Sequence, residues 1–176
     1  MPVLLDASAL HPSTRLALMA LDWLEDRIAP QKILDIGCGN GILTLASAQL
    51  WDTPILACDI SPGAVADAGA NVREYAPGAD ITILRSDGFR HPAIKAGAPY
   101  GLILANLLAQ WQVQMATDIA QCLHPEGILL LSGMLLWQTD GTLAAFASIN
   151  IAPIQQLGEG EWQCALLRHK AASPLS

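Results

Sequence analysis

Acidic and amide side chains stand at the ends of apolar runs in this chain: Asp35 in ILDIGCGNG, Asp59 in ILACDI, Asp87 in SDGF and Asn106 in LILANLLA. After Asp35, glycine returns at every second place, as Gly37, Gly39 and Gly41. Glycine weakens regular structure because it has the most backbone freedom to lose. Its repetition directly after a strand-like run answers another demand, the close approach of a ligand to bare backbone. A dinucleotide fingerprint would read G-x-G-x-x-G, its third glycine letting helix and strand pack closely. Counted from Gly37, that third place is Ile42. The pattern is instead D-x-G-x-G-x-G, which suits a nucleoside ligand without a pyrophosphate.

S-adenosylmethionine fits these groups. Asp35 can attract its ammonium, directly or through water, and backbone N–H groups near the next helix start can take its carboxylate. The alternating glycines remove Cβ atoms that would collide with it. Asp59, with Ile60 beside it, ends the second strand-like run, where a carboxylate accepts hydrogen bonds from ribose hydroxyls that burial would otherwise strand. The competing role for Asp59, an acid favoured by a helix dipole, is one Ser61 can fill. Asp87 can reach the adenine amino group, and can equally be only the acid of an Asp-Gly turn. Asn106 is either the cap of the following helix or, through its amide oxygen, an acceptor for an incoming amine. Methyl transfer is an in-line displacement, so aligning a neutral nitrogen lone pair with the sulfonium methyl is most of the work. Neither a metal nor a covalent intermediate is needed.

Other residues invite functional readings. His11 lies at the expected cofactor end, as a base or as part of a helix start; His91 and His124 precede prolines in predicted loops. Trp111 and Trp137 can line a substrate pocket, whereas Trp23 and Trp51 read as core and Trp162 as packing beneath a sheet edge.

Apolar runs alternating with helical patterns must position these groups, the signature of βαβ units on a parallel sheet. The pattern predicts a helix beginning near His11–Thr14, with Leu16, Ala20, Trp23, Leu24 and Ile28 on one stripe. Strands are predicted at Lys32–Ile36, Ile55–Ile60, Ile81–Arg85, Gly101–Ala105 and Ile128–Ser132. Helices are predicted over Gly41–Trp51, from Ser61-Pro62 to about Ala76, over Leu108–Leu123 and near Gly141–Ile149. The turn His124–Gly127 leads into the fifth strand. Ile154–Leu157 and Trp162–Arg168 flank Gly158-Glu159-Gly160 as a hairpin. The expectation is one α/β domain over 1–176, a Rossmann-like, seven-stranded, mostly parallel sheet with a C-terminal antiparallel hairpin.

Composition agrees. The chain has 176 residues, 52% hydrophobic and 14% charged, with a net charge of −7, which excludes disorder and argues against tracking a nucleic-acid backbone. The four cysteines form no CxxC pair and no metal-type cluster, and read as reduced thiols in a cytoplasmic protein. Met1–Leu10 has no basic n-region. Mean hydropathy is +0.37, yet no apolar run is long and pure enough to cross a bilayer.

Together, HPSTRLAL, ILDIGCGNGIL, CDISPGAV, LILANLLA, LLLSGML and EGEWQCALL resemble the PrmA-type methyltransferases, which modify amino groups of a ribosomal protein using S-adenosylmethionine. The likeness runs from about His11 to Arg168. It implies a class I methyltransferase fold and cofactor contacts from Thr14, Gly37, Asp59 and Asn106. The family usually carries a separate N-terminal domain for its ribosomal partner, which this reading does not include, and a glycine-threonine loop where this chain has LLDASAL at Leu4–Leu10. The expected acceptor is an amine on a protein. A small-metabolite methyltransferase and a cofactor-binding partner subunit without catalysis are the alternatives; a nicotinamide oxidoreductase is disfavoured by Ile42.

Overall fold

The computed structural model describes residues 10–173, so most of the Leu4–Leu10 stretch lies outside the described residues. In chain order the elements are α1 (Pro12–Leu24), β1 (Ile33–Ile36), α2 (Ile42–Leu50), β2 (Ile55–Asp59), α3 (Pro62–Tyr75) and β3 (Ile81–Arg85). There follow a 3₁₀ turn at Gly88–Arg90, then α4 (Pro92–Gly97), β4 (Tyr100–Asn106), α5 (Ala109–Gln114) and α6 (Ala116–Cys122). The chain closes with β5 (Leu123–Leu135), α7 (Leu136–Ala147), β6 (Ile151–Glu159) and β7 (Trp162–His169).

The strands form one sheet in the order β3-β2-β1-β4-β5-β7-β6. The first five run parallel, and β7 is antiparallel to both β5 and β6, as the sequence predicts. β1 is buried throughout because helices cover both faces. Leu34, Ile36, Ile103 and Leu129 point into one apolar layer with Phe89, Ile119 and Phe146. Ile33, Leu102, Leu104 and Leu130 point into the other, against Leu16, Ala20 and Leu24 of α1. The chain departs from β1 in both directions along the sheet, toward β2 and toward β4, which opens a crevice at the carboxyl ends of these strands.

Four local features differ from the sequence expectation. The helix predicted over Leu108–Leu123 is two helices, parted at Met115, whose φ of −93° and ψ of 2° leave the helical region. The fifth strand starts at Leu123, which pairs with Tyr100 before the register shifts, so His124–Gly127 is an excursion within β5. α7 starts at Leu136 because the Gln138 side chain accepts the Leu135 amide at 2.9 Å, satisfying a donor at the helix start. His91 is not a loop residue but the cap of α4: its Nδ1 accepts the Ala93 amide at 3.3 Å ahead of Pro92. His11 does the same for Ser13 ahead of Pro12, at 3.3 Å, and packs edge-on against Trp162, ring centroids 4.4 Å apart. It is therefore a structural residue at the start of α1.

Gly133 is the bulge that bends β5 beside the crevice. Its φ is +89°, and a Cβ there would lie 2.6 Å from the Leu107 carbonyl oxygen and 3.1 Å from Asn106 Oδ1. Gly133→Ala should therefore push the end of β4 away as well as strain its own backbone, destabilising the fold by about 2 kcal/mol or more. A urea midpoint within experimental error of the wild type would contradict this.

Candidate functional site

A cavity of about 250 Å³ opens at the carboxyl ends of β1, β2 and β4, walled by Gly37, Asp59, Ile60, Asp87, Leu107, Trp111 and Met115. Four predicted site residues, Gly37, Asp59, Ile60 and Asp87, thus come together in one hollow. Thr14, Asp35, Gly39, Gly41 and Asn106 adjoin this region without lining the cavity. Leu107, Trp111 and Met115 are further parts of the wall; Trp111, 47% exposed, is the one of these that the sequence suggested as a pocket-lining residue. Trp137 lies outside the cavity, on the exposed start of α7.

Asp59 organises the cavity. Its Oδ2 accepts the Gly39 amide at 3.0 Å and its Oδ1 accepts the Ser61 amide at 2.9 Å. Each carboxylate oxygen can accept two hydrogen bonds, so one place on each oxygen remains beyond these two. Capping of α3 falls to Ser61, whose hydroxyl accepts the Ala64 amide at 3.3 Å. The helix-acid role weighed for Asp59 is therefore filled elsewhere. Asp87 stands at the start of the 3₁₀ turn with no side-chain cap bond, paired instead with Arg90 at 3.2 Å.

The three loop glycines have three different reasons. Gly37, at φ +73°, lies under the Leu107 side chain, and a Cβ there would approach Leu107 Cδ2 to 2.3 Å. Gly41, at φ +85°, abuts α3, a Cβ coming within 3.2 Å of Ala68 Cβ. Gly39, at φ +57°, faces open space. The loop hangs from β2, since the Gly37 and Cys38 amides both donate to the Cys58 carbonyl, at 2.8 and 3.0 Å.

Asp35 is only 1% exposed and its Oδ2 accepts the buried Thr44 hydroxyl at 2.6 Å, tying β1 to α2. Burial pushes its pKa up to about 6; the Thr44 bond pulls the other way, and the Asp59 charge adds to the rise. Its expected partner was an ammonium; the partner present in the fold is Thr44.

Asn106 is the last residue of β4 and does not cap α5, whose first flanking residue is Leu108. Its Nδ2 donates to Thr14 Oγ1 at 3.3 Å, which leaves Oδ1 beside Gly133. Behind it lies Gln112, fully buried and absent from the sequence reading. Gln112 Nε2 donates to the carbonyls of Leu107 at 2.8 Å, Ser132 at 2.6 Å and Ala105 at 3.4 Å, clamping the ends of β4 and β5. A glutamine on the otherwise apolar stripe Ala109, Ala116, Ile119 was the signal that could have revealed it.

The four cysteines are buried and free. Among the described residues no group of His, Cys, Asp or Glu could hold a metal, and no helix is long and apolar enough to cross a membrane.

Residues 8–170 match the family described as Ribosomal protein L11 methyltransferase (PrmA). Proteins named Ribosomal protein L11 methyltransferase from Bradyrhizobium diazoefficiens and Mesorhizobium japonicum are 34% and 35% identical, each over 90% of this chain, covering 54% and 55% of their own length. The chain thus spans about half the length of the curated relatives it matches. The solved structure of a ribosomal protein L11 methylase from Lactobacillus delbrueckii subsp. bulgaricus superposes with a TM-score of 0.82 at 24% identity, over 92% of this chain and 80% of that one. The N-methyltransferase NodS from Bradyrhizobium japonicum superposes with a TM-score of 0.67 at 15% identity, over 90% and 97%. The fold is that of the Rossmann-like methyltransferases.

The raised pKa of Asp35 fixes the sign of a pH effect. The folded state holds this proton more tightly than the unfolded chain does. The stabilisation is full below the ordinary value of 3.8 and is lost as pH rises through about 6. Asp35→Asn should therefore gain on the wild type, by on the order of 2 kcal/mol, as urea unfolding is moved from mildly acidic to mildly alkaline buffer. A stability difference that stays flat with pH, or changes the other way, would contradict the assignment.

Proposed function

The chain belongs to the ribosomal protein L11 methyltransferase family, and from that premise we propose that it transfers the methyl group of S-adenosylmethionine to an amine nitrogen on a protein, the ribosomal protein of the relatives' name being the first candidate. The observation that carries this reading is the Asp59 carboxylate at the cavity wall. Two backbone amides fix its position, and each oxygen keeps an accepting place for a ribose hydroxyl.

The residues fit such a cofactor. Asp59 and Ile60 would hold the sugar. Asp87 would take the adenine amino group, with Trp111 and Met115 as an apolar wall. The methionine end would lie against the glycine loop, where Gly39 faces open space and bare backbone meets the start of α2. When bound, the cofactor supplies an electrophilic methyl on a sulfonium; the protein's work is placement.

Asn106 is suited to receive the acceptor. Its amide nitrogen is engaged with Thr14, so the oxygen is the group available to an amine N–H, and Gln112 holds the backbone on which it stands. An amine hydrogen-bonded there has its lone pair steered and its approach restricted, which is where an in-line displacement gains most. The amine can shed its proton to water before transfer, so no side-chain base is required.

Two variants test the division of labour. Asp59→Ala should weaken binding of S-adenosylhomocysteine by about 10- to 100-fold in calorimetry. Asn106→Ala should lower kcat by about 100-fold or more while cofactor affinity changes far less. With labelled cofactor, the methyl should appear on lysine or α-amino nitrogens of a ribosomal protein preparation. Label confined to small molecules would favour a metabolite acceptor. No heat with either cofactor form would reject the reading outright.

A further inference from the structure

At the opposite end of the sheet, among the amino ends of β1, β4 and β5, lies a second cavity of about 400 Å³. Its wall carries Arg27, Lys32, His124, Glu126 and Arg168, against an apolar side formed by Pro30 and Pro99. Three fixed cations against one carboxylate make this depression positive by two charges, in a chain whose net charge is −7.

Arg168 is the unusual member. It stands near the end of β7, between β5 and β6, and is only 7% exposed. A buried guanidinium ordinarily has its N–H groups matched, because removing them from water without acceptors is unfavourable. Here the described protein supplies Glu126 alone, through Nη2 at 3.3 Å, and Glu126 also accepts the Ser173 amide at 2.8 Å. Arg168 Nε is buried with no acceptor among the described residues. The other cations do not relieve this. Lys32 Nζ donates to the Gly97 carbonyl at 3.0 Å, and the Arg27 guanidinium lies 4.4 Å from the centroid of the Trp23 ring. His124 Nδ1 accepts the Glu126 amide at 3.1 Å, which turns its other nitrogen into a donor.

From these observations we propose that this cavity is a binding site for an oxyanion-bearing small molecule, a phosphate or carboxylate engaged by the Arg168 guanidinium with Lys32 as the second cation. A planar guanidinium edge matches two oxygens of such a group, and the cavity is of the size that holds small ligands. The site is separate from the methyl-transfer crevice and stands whether or not that reading holds.

The test is NMR titration of the full chain with inorganic phosphate and, separately, acetate, ionic strength held constant with chloride. Saturable shifts are expected at the Gly101, Gly127 and Arg168 amides. Arg168→Met should weaken them at least tenfold and Lys32→Gln severalfold. A response to phosphate alone assigns a phosphate-bearing ligand, and an equal Arg168-dependent response to acetate assigns a carboxylate. Shifts that fail to saturate, or that survive Arg168→Met unchanged, overturn the proposal. If Arg168→Met lacks cooperative unfolding, Lys32→Gln decides: unchanged affinity there overturns it as well.

Discussion

One carboxylate at the end of β2 holds the crevice in shape. The glycine loop runs through positive φ at three places. Its Gly37 and Cys38 amides still reach the Cys58 carbonyl, but the Gly39 amide has no backbone partner, and a donor left unpaired is unfavourable. Asp59 takes the Gly39 amide on one oxygen and the Ser61 amide on the other. These bonds to a charged acceptor are stronger than neutral ones, and they fasten the loop after β1 to the turn before α3. The cavity wall at Asp59 and the entry into α3 both depend on that clasp.

A second acid only one strand away does something different because its surroundings differ. Asp35 is sealed between β1 and α2 with the Thr44 hydroxyl for company, whereas Asp59 borders the cavity. Environment separates two like groups into a sealed carboxyl bonded to Thr44 and a carboxylate at a cavity wall. A comparable separation holds on β4, where Asn106 presents its amide while Gln112, buried behind it, clamps the backbone on which it stands.

Much of this was legible in the residues. Ile-, Leu- and Ala-rich runs revealed the central strands β1, β2, β4 and β5, because a sheet covered on both faces demands continuous apolar segments. The largely uncovered β6 was legible only from its glycine turn, and it starts at Ile151, ahead of the expected Ile154. The acids at strand ends pointed to the crevice, as polar groups at the carboxyl edge where open α/β sheets take ligands. Met115 escaped notice, since apolar periodicity continues through it and only the backbone turns. α4 escaped because six residues carry too little pattern, although His91-Pro92 repeats the cap that His11-Pro12 forms on α1. Gln112 was hidden by its neighbours, and Arg168 by a strand in which nothing marks a buried cation. The glycines were legible as a group but not individually: packing against Leu107, open space and packing against Ala68 are tertiary facts.

The central claim is that the Asp59 carboxylate receives ribose hydroxyls. The most direct measurement pairs a change in the protein with a change in the ligand: calorimetry of S-adenosylhomocysteine and its 2′,3′-dideoxy analogue on the wild type and on Asp59→Asn. The account predicts that deleting the hydroxyls weakens wild-type binding by about tenfold or more and the variant's far less, a coupling on the order of 1 kcal/mol or greater. Equal losses in both proteins, or none in the wild type, would contradict it.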